Sequence, residues 1–194
     1  MLKKIQRCGW CAGSELYEAY HDLEWGVPVY DDALLFELLT LEGAQAGLSW
    51  ITILKKRNGY RDAFDGFNAE KIANYSATKI RKLMANPRII RNRLKIESVI
   101  LNARVFLEIR EREGNFSKYV WQFTDYQTQQ NNFMATNQVP TTSALSDKMS
   151  RKMKKDGFKF IGSTTCYAYM QAIGMVNDHL VSCFRHEECK RFSS

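Results

Sequence analysis

The sequence is poor in the residues that break helices or mark tight hairpins. It has only three prolines, Pro28, Pro87 and Pro140, and no Asn-Gly pair between alternating apolar runs. That weighs against a β-rich fold built from short strands. No run of about 18 apolar residues is present, so no membrane-spanning helix is expected. The opening stretch, residues 1–8, lacks the apolar core of a secretory signal, and a cytoplasmic setting is inferred. Cysteines number five, an odd count that does not suit a framework of paired disulfides in a reducing compartment. Acidic residues are missing altogether from residues 79–95.

The 194 residues are enough to bury a substantial core. Hydrophobic residues make up 45% and charged residues 25%, which excludes a disordered chain. Lys and Arg outnumber Asp and Glu by 28 to 21, a net charge of +7 that points toward a polyanionic partner.

Helical periodicity dominates. Ile96, Val99, Ile100, Ala103, Phe106 and Leu107 follow helical spacing, and Gly114 ends that helix. Asp31 or Asp32 is predicted to cap a helix carrying Leu34, Leu35, Leu38 and Leu39, Asn68 one through Ala73, and Ser76 one through Met84. Ser143 or Ser146 starts a helix that ends before Gly157, and Thr164 or Thr165 one through Met175. The polar segment 124–142 reads as a loop or frayed connector. The expected fold class is all-α.

Three constellations carry chemistry. The first is split across the termini: Cys8, Cys11 and His21 near the start, and His179, Cys183, His186 and Cys189 near the end. His179-x3-Cys183 suits two metal ligands one helical turn apart. Their partners are either Cys8 with Cys11 or Cys8 with His21. Scattered thiols and surface histidines are the competing reading. About 150 residues separate the halves, and closing such a loop costs about 4–5 kcal/mol. A structural zinc returns on the order of 10 kcal/mol and would fasten the ends together.

The second is Glu42, the sole ionisable residue between Leu38 and Leu54, with Gly43 and Gly47 expected to break the helix around it. An unpaired carboxylate in apolar surroundings has a raised pKa and marks a candidate site. A half-exposed Glu at a helix end is the competing reading. Gln45, Ser49 and Trp50 follow, and Trp10, Tyr17, Tyr20 and Trp25 lie upstream. Such rings around one carboxylate suit a flat, electron-poor or cationic ligand, at about 1–2 kcal/mol per ring. Ordinary core packing would also account for them.

The third is basic. Lys79, Arg81, Lys82, Arg88, Arg91, Arg93 and Lys95 equal the whole net charge excess. Pro87 disfavours helix at Asn86, so two helices meet at a short connector flanked by cations. This is the form of a helix-hairpin-helix that holds a nucleic-acid backbone. The second basic run, residues 151–155, reads as a solvated face.

Three longer motifs lie in the first half of the chain. They are Cys8-Gly9-Trp10, Tyr17-x2-Tyr20-His21-Asp22-x2-Trp25-Gly26-Val27-Pro28 and Leu41-Glu42-x2-Gln45-Ala46-Gly47-Leu48-Ser49-Trp50. Three more follow: Ile89-Ile90-Arg91-x-Arg93-x-Lys95-Ile96, Gly157-Phe158-Lys159-Phe160-Ile161-Gly162-x3-Cys166-Tyr167 and Met170-Gln171-Ala172-x-Gly174-x2-Asn177-Asp178-His179. Together they resemble the bacterial DNA-3-methyladenine glycosylase I family, from Cys8 to Cys183.

The resemblance implies a helix-hairpin-helix DNA glycosylase fold over residues 1–194, as a single domain with two helical lobes flanking a base pocket. It implies hydrolytic excision of 3-methyladenine from alkylated duplex DNA, with free 3-methyladenine as product. Neither a lyase step nor a metal at the chemical step is expected. It implies Cys8, His21, His179 and Cys183 as ligands of one structural zinc, Zn2+, and leaves Cys11 and Cys189 out. Glu42 becomes the base-contacting carboxylate, with Tyr20 and Trp50 as pocket walls joined by Tyr17 and Trp25. Gly47 and Leu48 approach the lesion, and Arg88, Arg91 and Arg93 hold DNA.

A monomer working at the nucleoid is expected, with no membrane partner. Arg88 stands where the family pattern suggests glycine, and would be strained if the connector needs a positive φ. The competing functions are a DNA-binding module without catalysis, a glycosylase for a neutral lesion, and a zinc hydrolase.

Overall fold

A computed structural model describes residues 5–193; the first four residues of the opening stretch read above lie outside it. Ten α-helices are present among the described residues: α1 Glu15–Leu23, α2 Asp32–Gln45, α3 Trp50–Ala63, α4 Ala69–Ala73, α5 Ala77–Ala85, α6 Arg93–Glu113, α7 Phe116–Trp121, α8 Ala144–Lys155, α9 Ser163–Ala172 and α10 Phe184–Lys190. None is long and apolar enough to cross a membrane.

The caps explain most of the boundaries. Asp31 accepts from Leu34 N at 2.8 Å, Asn68 from Lys71 N, Ser76 from Lys79 N and Asn92 from Lys95 N. Ser143 and Ser146 form a reciprocal box at the start of α8. Gly114, at φ 86°, ends α6 where the sequence placed its stop. The helix expected over Thr164 or Thr165 to Met175 begins and ends earlier. Gly162 is its N-cap, and Ile173 and Gly174 turn the chain away, with Gly174 at φ 73°.

The segment 124–142 is not frayed. It carries the two-residue strand β1 Gln129–Gln130, paired in parallel with β2 Val176–Asn177. A 3-10 turn, Thr136–Gln138, follows. Its polar side chains conceal the order from a periodicity reading. Thr128 Oγ1 donates to Gly174 O, and Asn131 Nδ2 to Asp178 Oδ1.

Helix α2 lies at the centre and packs against α3, α6, α7 and α9. Residues 35–42 are all buried, so this helix has no solvent face over that length. Gly43 does not break it, contrary to the expectation. It lies inside α2, and a Cβ there would sit 3.6 Å from Phe160 Cβ, so the glycine admits a neighbouring loop. The break comes at Gly47, φ 81°, in the turn before α3.

The connector between α5 and α6, residues 86–92, rests on α3. Lys56 Nζ donates to Pro87 O at 2.7 Å, and Tyr60 Oη accepts from Ile90 N at 3.2 Å. Gly59 permits the closest approach: an added Cβ would lie 2.4 Å from Arg88 O and 2.7 Å from Arg88 Cβ. Arg88 itself is not among the residues with positive φ, so the anticipated strain is absent. Gly59→Ala is expected to lower stability by about 1–3 kcal/mol, because the obstacle is backbone. A fall in the urea unfolding midpoint checks this.

Candidate functional site

Glu42 occupies the last full turn of α2, and its neighbour Glu37 shows what sets it apart. Glu37 is also buried, but Arg57 Nε at 2.6 Å and Arg61 Nη2 at 2.8 Å neutralise it. Glu42 has no such partner. Its Oε2 is one of four buried side-chain polar atoms without a hydrogen bond among the described residues; Trp50 Nε1 is another. Burial alone pushes the Glu42 carboxyl up to about 8.

Both orphan atoms belong to residues lining one cavity of about 200 Å³. The structure brings Tyr17, Tyr20, Trp25, Glu42 and Trp50 together around it, with Trp10 and Gln45. Tyr20 and Trp50 meet at 5.4 Å between centroids, and Trp10 packs edge-on to Tyr17 at 4.9 Å and Trp25 at 5.0 Å. Burial, then the nearby Glu42, keeps the Tyr20 hydroxyl protonated. Ser49 is not a lining residue; it caps α3 and its hydroxyl meets Thr52 Oγ1.

The residue-by-residue reading did not single out Thr136, Val139, Gln171 and Asp178, which also line the cavity. The first two sit in the segment 124–142, whose polar composition reads as a loop or frayed connector. Asp178 and Gln171 stood in the motifs without a role. Asp178 is a second buried carboxylate, but it is saturated: Asn131 Nδ2, Tyr167 Oη and Gln171 Nε2 all donate to it at 2.7–2.8 Å. Glu42 is thus the lining carboxylate left with an open oxygen.

Behind the aromatic wall, Cys8, His21, His179 and Cys183 are all buried, with their donor atoms within 4.8 Å of one another. Cys183 Sγ lies 3.4 Å from His21 Nε2 and 3.7 Å from His179 Nδ1, and Cys8 Sγ lies 3.8 Å from His179 Nδ1. A tetrahedral zinc with ordinary bond lengths has S···N edges of about 3.6 Å. The remaining ring nitrogens are engaged: His21 Nδ1 donates to Asp22 Oδ1 at 2.7 Å, and His179 Nε2 to Trp25 O at 3.0 Å. That fixes the tautomers with Nε2 of His21 and Nδ1 of His179 free to bind. A hydrogen bond from the Cys8 thiol lowers the Cys183 pKa and favours its thiolate. The donor set therefore fits a metal.

The Cys8–Cys11 alternative fails because the Cys11 thiol turns away and donates to Cys8 O at 3.1 Å. His179 and Cys183 do not share a helical face, as their spacing suggested. They flank a turn before α10, with Cys183 as its N-cap.

Gly47 and Leu48 form the turn between α2 and α3, and Leu48 is 39% exposed. Arg88, Arg91 and Arg93 all face solvent. Arg88 pairs with Asp62 and Arg93 with Glu97, both exposed bridges of little energetic weight.

The methyladenine glycosylase family model matches residues 10–186 of the chain. DNA-3-methyladenine glycosylase 1 of Escherichia coli (strain K12) is 46% identical over 179 residues, covering 92% of this chain and 96% of that protein. DNA-3-methyladenine glycosylase of Haemophilus influenzae is also 46% identical, over 91% of this chain and 96% of its own length. A crystal structure of a 3-methyladenine DNA glycosylase I superposes with a TM-score of 0.91 at 48% identity, covering 93% of this chain and 100% of the other. The Staphylococcus aureus enzyme, solved to show 3-methyladenine recognition, gives 0.89 at 36% identity over 92% and 95%.

The raised carboxyl has a thermodynamic signature. Between the ordinary value of 4.5 and about 8, the folded chain holds a proton at Glu42 that the unfolded chain releases. Stability therefore falls as pH rises through that window. Glu42→Gln is expected to be more stable than the parent near pH 8, on the order of a few kcal/mol. Urea titrations should show the gap closing toward pH 4.5.

Proposed function

The chain belongs to the methyladenine glycosylase family, and on that premise we propose that it excises 3-methyladenine from alkylated duplex DNA by hydrolysis. The observation that carries this reading is the buried Glu42 oxygen without a partner, facing an aromatic cavity. Methylation at N3 makes the adenine cationic while it is attached to the sugar, and it departs as a neutral base. The bond is already weak. The protein's tasks are to extrude the nucleotide, hold the base and admit water to the sugar carbon.

Glu42 accepts a hydrogen bond from the exocyclic amine and supplies countercharge. Tyr20 and Trp50 lie against the ring, with Tyr17 and Trp25 completing the wall. Unmodified adenine brings no charge to offset the cost of a buried carboxylate, so it gains less in the same cavity. Arg88, Arg91 and Arg93 hold the duplex backbone, and Gly47 and Leu48 meet it at the lesion. The work is done by one domain with the pocket between two groups of helices. No lysine of the motifs serves as a nucleophile, so the strand is left intact.

Cys8, His21, His179 and Cys183 hold one zinc, which fastens residues near the two ends of the chain. Four protein ligands fill a tetrahedral coordination sphere, so its contribution is to folding. It also steadies the wall, because Cys8 lines the cavity and the Trp25 carbonyl accepts from His179.

Incubation with methylated duplex DNA should release free 3-methyladenine, seen by chromatography, without strand breaks. Glu42→Gln should slow release by about 10²-fold, the loss of one charge-assisted contact, while leaving duplex binding intact. Equal loss of both would assign Glu42 a folding role instead. Elemental analysis should find one zinc per chain, and its removal by a chelator should lower the thermal midpoint sharply. A zinc that exchanges freely without loss of stability would contradict the structural role.

A further inference from the structure

Lys95 belongs to the basic run by sequence, but its side chain does not join the solvent-facing cations. Lys95 Nζ donates to Ala44 O at 2.8 Å and Ala46 O at 2.6 Å. These carbonyls close the C-terminal end of α2, after Glu42 and before Gly47 and Leu48. The last carbonyls of a helix lack intrahelical partners, and a cation there satisfies them while complementing the helix dipole. The backbone of Lys95 is fixed as well, since Asn92 at the end of the connector caps its N–H at 3.1 Å. Partial burial lowers its pKa, as expected of an ammonium held against two carbonyls.

The far side of the same turn is tied to the same connector. α3 begins at Trp50, and from it Lys56 reaches Pro87 O, Tyr60 accepts from Ile90 N, and Gly59 lies against Arg88. The connector between α5 and α6, with the first turn of α6 that Asn92 caps, is therefore joined to both flanks of the 46–49 turn: to α2 through Lys95, and to α3 through Lys56, Gly59 and Tyr60. We infer that Lys95 is a positioning residue, an internal strut that fixes the Gly47–Leu48 turn relative to the DNA-holding hairpin and makes no phosphate contact of its own. This rests on the proposed function, in which the hairpin holds the duplex and the turn meets the lesion.

A strut and a phosphate contact differ in salt dependence. Each phosphate neutralised adds about 0.9 to the slope of log affinity against log salt. Lys95→Met in the full chain should leave that slope on unmodified duplex unchanged. It should lower the single-turnover excision rate on methylated duplex by about 10-fold or more, through misplacement of the turn. Binding of free 3-methyladenine, followed by tryptophan quenching, should be unchanged. Lys95→Arg, whose guanidinium also reaches two carbonyls, should restore most of the rate.

A slope reduced by about one would overturn the inference in favour of a phosphate contact. Loss of free-base binding in parallel with the rate would overturn it in favour of general disruption. If Lys95→Met does not fold, Lys95→Gln, neutral but still a donor, reads the same quantities. A parent protein that releases no base would count against the glycosylase reading, with the salt slope still testing the strut. An active parent matched by the variant would count against the strut alone.

Discussion

A carboxylate buried without a partner, in a helix enclosed on all sides, is the constraint around which the rest of this molecule is arranged. Helix α2 carries two buried acids, and the protein treats them in opposite ways. Glu37 turns toward α3, where Arg57 and Arg61 meet it. Glu42 is five residues further on, more than one helical turn, and so it faces a different direction. Among the described residues no cation meets it there. A core selected for stability alone would place an apolar residue at such a position, because a desolvated acid without a partner weakens the fold. The fold instead closes aromatic rings around it and saturates the other lining carboxylate, Asp178, with three neutral donors. Of these two lining carboxylates, Glu42 is the one left with an open oxygen.

The Cys/His cluster is connected to that cavity through shared atoms. Cys8 belongs to both. His179 takes its tautomer from the Trp25 carbonyl and packs edge-on to the Trp25 ring at 4.6 Å. His21 stands 5.3 Å from Trp10. The aromatic wall is therefore backed by the side chains that would hold the ion. Joining residues near the two ends of the chain and holding the rings in place are consequences of one arrangement.

Much of this was legible in the residues. Side chains with strong local chemistry announce helix starts, and Asp31, Asn68, Ser76 and Ser143 cap where expected. Glu42 was conspicuous because its surroundings in the sequence are apolar, and the aromatic residues upstream do gather around it. What sequence patterns missed depends on tertiary contacts. Gly43 looks like a helix breaker until Phe160 is seen beside it. The 124–142 segment has no periodicity, yet its polar groups bond to residues 174–178 and deliver Thr136 and Val139 to the cavity. The spacing of His179 and Cys183 suits a helix, and the structure makes a turn of it. Arg88 raised a backbone question that a negative φ answers, and the necessary glycine is Gly59 on the facing helix.

Counting charge gives its sign but not its direction. Of the cations in residues 79–95, Lys79 is held by Asp65 and Lys95 by the carbonyls of Ala44 and Ala46 at the end of α2. Arg88, Arg91 and Arg93 remain at the surface, where an exposed guanidinium pairs weakly and is readily given up to a phosphate. In the proposed function these exposed cations attract the duplex with little regard to which bases it carries. Selection must come from elsewhere, and the same electrostatics supply it with the opposite geometry. A charge at the surface costs little because water solvates it. A charge at Glu42 is expensive because water is excluded, and its carboxyl holds its proton to about 8. A ligand that brings a positive charge into the cavity recovers that cost, and a neutral one of the same shape does not. In the proposed reaction, discrimination between a methylated and an ordinary adenine follows from the penalty the fold accepts by leaving Glu42 without a partner.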